Sequence, residues 1–134
     1  MEPFHGRTLN HPAWVLSHLN VYTPICTAML LGLAFEDPLE HRYGQKSDVS
    51  LDLSAYPPPA ELAAAYALLH DRAERALAAA DEHILMSPNP LERWRAVHPR
   101  ILDMMVTLMV KHESGHLGQL SAWRRAMGLP RVGM

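Results

Sequence analysis

The amino-acid sequence predicts an all-α fold, an up-down helical bundle formed as one domain over residues 1–134. Three observations predict it. Apolar residues recur at helical spacing in three long stretches, Ala13 to Leu33, Pro59 to Ala80 and His98 to Gly128. No strand-like pattern extends beyond Asp48 to Leu53. Proline, glycine and asparagine punctuate the joints between the stretches, and 49% hydrophobic residues in 134 give a single domain enough material for a core.

The first helix has Asn10 or His11 as its cap and Pro12 in its first turn, where a missing N–H costs nothing. Trp14, Val15, His18, Tyr22, Ile25 and Met29 share one stripe. Pro24 removes a backbone donor within it and predicts a kink about one turn past His18. From Phe35 to Pro58 the chain is irregular, either a lid or a surface excursion packed by Leu51, Leu53 and Tyr56, and His41 has no helical partner there.

The second helix is rich in Ala and Leu, and Leu62, Tyr66, Leu69, Ala73, Ala76 and Ala80 form its inner line. Ser87-Pro88-Asn89-Pro90 breaks the chain, and a short turn follows at Leu91 to Val97. His98-Pro99 opens the last helix and Gly128-Leu129-Pro130 stops it, with Arg124 and Arg125 suited to the dipole of its final turn.

Bulk properties exclude several classes of function. A net charge of −2, from 12 basic and 14 acidic residues without a basic stripe, argues against nucleic acid as a partner. The strongest apolar runs, Ala28 to Phe35 and Met104 to Val110, are far shorter than the roughly 20 residues of a membrane span. The first residues lack the apolar core of a secretion signal, and the lone Cys26 has no internal disulfide partner, so the expected location is cytoplasmic. Cys26, with no neighbouring cation, reads as a small core residue. Neither a Gly-x-Ser-x-Gly elbow nor a phosphate-binding glycine loop is present.

The chemistry concentrates in Lys111-His112-Glu113-Ser114-Gly115-His116-Leu117-Gly118-Gln119. His112 and His116 stand one helical turn apart, so both rings project from one line and can hold one ion. Met105, Leu108, Met109, His116, Gln119 and Trp123 lie on the stripe of His112, which turns the pair inward. Two readings follow: a metal site, or rings hydrogen-bonded within the core.

His112-Glu113-x-x-His116 also matches the zincin formula, in which Glu113 would be the general base. No His, Asp or Glu follows His116 to complete that ligand set, and a peptide-binding edge strand has no counterpart in this sequence, so a protease is disfavoured. A third ligand must come from upstream. His18 is the best placed, at the centre of the first helix's stripe with Trp14 and Tyr22 one turn to either side. His11 competes for the role, but its position at the cap favours a backbone or solvent contact. Three neutral imidazoles leave an open coordination position and accept zinc, nickel or iron.

Asn10-His11-Pro12-Ala13-Trp14-Val15-Leu16-Ser17-His18 together with His112-Glu113-Ser114-Gly115-His116-Leu117-Gly118-Gln119 resembles the signature pair of the DinB-like family. The resemblance covers most of the chain, including Tyr56 to Leu62 in its middle. It implies a four-helix bundle with a divalent metal on three histidines, which here are His18, His112 and His116. Members usually carry a helix ahead of the His-Pro-x-Trp segment. Only ten residues precede His11, so that first helix is expected to be short or missing. The face it would cover then falls to a homodimer partner, to the middle loop, to residues 91–97, or to chain upstream of Met1.

Relatives in that family include thiol-dependent S-transferases and a mycothiol-dependent isomerase. The implied function is thus a divalent-metal-dependent enzyme, with transfer of a low-molecular-weight thiol to a small electrophile as its leading form. A metal-dependent hydrolase and a non-catalytic metal- or ligand-binding stress module are the alternatives. Glu113 is the candidate catalytic residue, either a general base or a side chain facing a neighbouring helix. Trp14, Tyr22 and Gln119 are expected at the pocket, where Tyr22 and Gln119 either orient a ligand or simply pack.

Overall fold

The computed structural model describes residues 9–131. Helix α1 spans Pro12–Leu31, α2 spans Pro59–Ala79, and a short α3 spans Glu82–Met86. The terminal helix is continuous but changes winding twice. It begins as α4 (Ile101–Met105), widens into a π-helical section (Val106–His112) and returns to α geometry as α5 (Glu113–Ala126). Among the described residues the only extended pairing is an isolated antiparallel bridge between Pro88 and Arg100. The helix usual before α1 in the resembled family would fall on residues 1–8, outside the described residues.

Helix α1 is the central element, packed lengthwise against α2 and, on another side, against the terminal helix. Its stripe residues Trp14, Val15, His18, Tyr22, Ile25 and Met29 are all buried. By length and composition α1 could also cross a membrane, a property of the whole helix that the two apolar runs conceal, yet 67% of its apolar window is buried inside the bundle. His11 caps it, with Nδ1 accepting from Trp14 N at 3.4 Å, and the helix passes unbroken through Pro24. Gly32 ends it at φ 66°, where residues with a Cβ are strained.

The core divides into two clusters along α1. Trp14, Val15 and Leu19 meet Tyr56 near one end. Toward the other, Tyr22, Ile25, Cys26 and Met29 meet Ala73 and Ala76 of α2 and Met104 and Met105 of the terminal helix. Alanines on α2 let the two backbones approach closely, and each buried Met contributes about 1.5–3 kcal/mol. His18 lies between Val15 and Leu19 of the first cluster, a buried polar side chain on an apolar stripe.

The loop between α1 and α2 lies over this region, but its anchors differ from those expected. Leu51 and Leu53 are exposed; Tyr56 is buried, with Tyr43, Val49 and Ala55 packed beside it. Tyr43 Oη donates to the Ala55 carbonyl at 2.6 Å, and the Tyr43 and Tyr56 rings stack. Leu51 and Leu53 fail as anchors because the two 3₁₀ turns, Pro38–Glu40 and Leu53–Ala55, fold the loop through local caps rather than through an apolar stripe. At Gly44 a Cβ would stand 1.9 Å from the Pro38 carbonyl oxygen, so this close backbone contact requires glycine. Residues 91–97 contain the 3₁₀ turn Glu92–Trp94, with Leu91 buried against the core.

Candidate metal centre

His18, His112 and His116 come together, with one ring nitrogen from each lying within 4.8 Å of the others. The Nε2 of His112 is 2.9 Å from that of His18 and 3.0 Å from that of His116. His18 comes from the middle of α1, His112 closes the π-helical section and His116 lies one turn later in α5. Such wide turns are frequent at functional sites. His11 stays outside the group, as its cap position implied: its Nε2 bonds the Ser50 carbonyl at 2.7 Å.

The outward nitrogens define the tautomers. His18 Nδ1 donates to the Tyr43 carbonyl at 2.6 Å, and His116 Nδ1 donates to Gln119 Oε1 at 2.9 Å. Gln119 Oε1 also accepts from Asn10 Nδ2 at 2.8 Å, so the residue just ahead of the α1 cap steadies the side chain that steadies His116. With those protons committed, the Nε2 atoms of His18 and His116 both carry lone pairs. His112 Nε2 can donate a proton to only one of them. A cation accepting all three lone pairs satisfies the arrangement, whereas a metal-free core leaves at least one buried acceptor unpaired.

Burial keeps these rings neutral. It lowers the His18 pKa from 6.5 to about 4, against the pull of the Tyr43 carbonyl, and the neighbouring His116 adds repulsion. His112 falls to about 3, first through burial and then through repulsion from His116 and His18. His116 is lowered by burial while Gln119 acts in the opposite sense. At neutral pH the site offers uncharged donors, the form a metal requires.

The three rings line a cavity of about 290 Å³ with Trp14, Tyr22, Trp94, Met104 and Leu108 as apolar wall and Gln45 and Thr107 as polar groups. Trp14 stacks on His18 with ring centres 4.7 Å apart, and Tyr22 packs beside it at 4.8 Å. The expected pocket residues Trp14 and Tyr22 therefore line the cavity, while Gln119 acts behind it as the acceptor for His116. Arg93 ties Gln45 to Asp37 through bonds of 2.6 Å each. A larger open groove of about 600 Å³, lined by Leu33, Phe35, Asp37 and Leu91 among others, includes none of the three histidines.

Glu113 faces α2. Its carboxylate accepts a hydrogen bond from Tyr66 Oη and is 2.8 Å from His70 Nε2. Burial and the adjacent carboxylate both raise the Tyr66 pKa, so Tyr66 is a firm donor. Tyr66 lies on the inner line predicted for the second helix, but sequence reasoning missed His70 one turn later and the meeting of both with Glu113. Tyr43 leaves no sequence signal, because it acts through its backbone carbonyl.

This α-helical bundle gathers three neutral imidazoles at one cavity, an arrangement that could hold a metal ion. The sequence profile of the DinB superfamily matches residues 3–120, and the chain belongs to that superfamily. No curated protein and no solved structure matches the chain.

Proposed function

We propose that this protein is a divalent-metal-dependent enzyme that transfers a low-molecular-weight thiol to a small electrophile. One observation carries the reading: three neutral Nε2 atoms converge at the wall of a cavity of about 290 Å³ that is otherwise mostly apolar. His18, His112 and His116 would hold zinc, nickel or iron. A bound cation supplies Lewis acidity that lowers the pKa of a thiol, which makes it nucleophilic at neutral pH.

The chain's own residues shape the rest. Trp14, Tyr22 and Trp94 supply apolar surface for a small molecule and exclude water, and Gln45 and Thr107 are placed to orient its polar groups. In the transfer, sulfur bonds to the electrophilic carbon, the leaving group departs with the electrons of its former bond, and the thiol proton passes to solvent. Both oxygens of Glu113 are engaged by α2, so the proposal assigns it no acid–base step. A cytoplasmic location suits the buried free thiol of Cys26 and the burial of most of α1. A homodimer is included, supported by the exposed Val106, Val110 and Leu117 along the terminal helix.

Calorimetric titration with zinc, nickel and ferrous iron, followed by a transfer assay with several cellular thiols, tests the proposal. One ion per chain is expected, with turnover lost in His112→Ala. Normal turnover in that variant would overturn it. Hydrolysis without added thiol would identify a hydrolase instead. Unfolding on chelation, with no access for thiols, would identify a non-catalytic metal-binding module.

A further inference from the structure

Ligating histidines almost always donate their outer N–H to a carbonyl, a carboxylate or water. His18 and His116 do so. Nδ1 of His112 is buried and has no hydrogen-bond partner among the described residues, and the same holds for Nδ1 of His70 on α2. Both residues line one further enclosed cavity, bounded also by Glu113, Thr23 and Cys26, with about 10 Å³ open to the centre of a water molecule. That is on the order of one water, and a buried water needs at least two polar partners.

We infer that this cavity is a site for one ordered water that joins His112 to His70, making His70, Glu113 and Tyr66 an outer shell that positions the metal ligand. The donor directions close without conflict. His112 Nδ1–H donates to the water, and the water donates to His70 Nδ1. His70 Nε2–H then donates to one oxygen of Glu113, and Tyr66 Oη–H donates to the other. No atom in the chain is asked to give or accept twice. The chain leaves the Nε2 lone pair of His112 directed at His18 and His116, the tautomer that metal binding needs. It also explains why Glu113, next in sequence to a ligand, turns toward α2: its carboxylate fixes the orientation of His70, and through it that of the water.

This inference rests on the metal-site reading, and the test separates the two. Zinc affinity is measured by competition with a chelator for the wild type, His70→Leu and His70→Gln. Leucine removes the acceptor for the water. The glutamine amide can donate to Glu113 and accept from the water. The inference expects His70→Leu to bind zinc about 10–100-fold more weakly and His70→Gln to recover most of that loss. In the zinc-loaded wild type the His112 Nδ1 proton should be a slowly exchanging NMR signal. In His70→Leu it should exchange fast. Equal zinc affinity in all three proteins, with the His112 proton unchanged, would overturn the inference while leaving the metal site standing. Failure of the wild type to bind zinc would instead overturn the underlying reading. A wild-type crystal structure provides a check that needs no variant: density for a water between the two Nδ1 atoms is expected, and an empty cavity contradicts it.

Discussion

Replacing His112 with leucine should change the stability of the metal-free protein little while abolishing its response to metal. In the metal-free fold His112 Nε2 lies 2.9 and 3.0 Å from two other ring nitrogens, and both neighbours have spent their protons elsewhere. At most one of these contacts can hold a proton, and a buried acceptor left unpaired costs about 1–3 kcal/mol. A leucine of comparable bulk removes the crowding of lone pairs, but it leaves the Nε2 atoms of His18 and His116 without a donor and breaks the link from His112 Nδ1 toward His70. These effects oppose one another, so the metal-free variant should stay within about 1 kcal/mol of wild type, or roughly 4 °C in Tm if a chain of this length shifts by about 4 °C per kcal/mol. In the wild type, free zinc at 1,000 times its Kd should add about 4 kcal/mol, or roughly 16 °C, and in the variant close to nothing. Thermal melts followed by circular dichroism, with chelator and with zinc, read both effects. A His112→Leu protein that zinc still stabilises by about 4 kcal/mol would refute the reasoning, because the ring would then be no ligand to the ion.

Other consequences follow from the same geometry. Since His18 and His112 titrate near 4 and 3 in the fold and near 6.5 when unfolded, the unfolded chain takes up protons first. The metal-free protein should therefore lose stability as pH falls from about 6.5 toward 4, seen as falling urea midpoints; midpoints that rise over that window contradict the assignment. Burial lowers the pKa of all three rings, so zinc affinity should fall at lower pH than it would for exposed histidines, which titrate near 6.5. Gln119→Leu removes the acceptor for His116 Nδ1 and should weaken zinc binding about 10–100-fold with helicity unchanged. Burial pushes the Cys26 thiol up to about 12, so iodoacetamide should leave the native protein unmodified at pH 8 and label it after denaturation.

The inner face of the first helix was legible because burial follows spacing, whereas Gln119, read on the inward stripe of the last helix, is exposed. Every stripe residue predicted on the first helix is buried, and the one-turn interval between His112 and His116 led directly to the three-histidine cluster. His18 was found by the same logic, since a polar ring at the centre of an apolar stripe needs a partner. Contacts made by backbone or across long separations left no such trace. The Tyr43 carbonyl, the close approach at Gly44 and the meeting of Glu113 with Tyr66 and His70 depend on how the loop and α2 settle on the bundle. The π-helical section also escaped, because the residues of Val106–His112 show no breaker that distinguishes them from an α-helical run. Leu51 and Leu53 misled for a related reason: apolar residues in a loop are often exposed, and only tertiary contacts decide which of them anchor it.

The central claim is that His18 joins His112 and His116 on one cation. A crystal structure of zinc-loaded protein, with anomalous data collected across the zinc edge, tests it most directly. The account predicts a single peak per chain, about 2.0–2.1 Å from the Nε2 atoms of all three histidines. A peak elsewhere, or one bound by His112 and His116 with the His18 ring turned away, would contradict it.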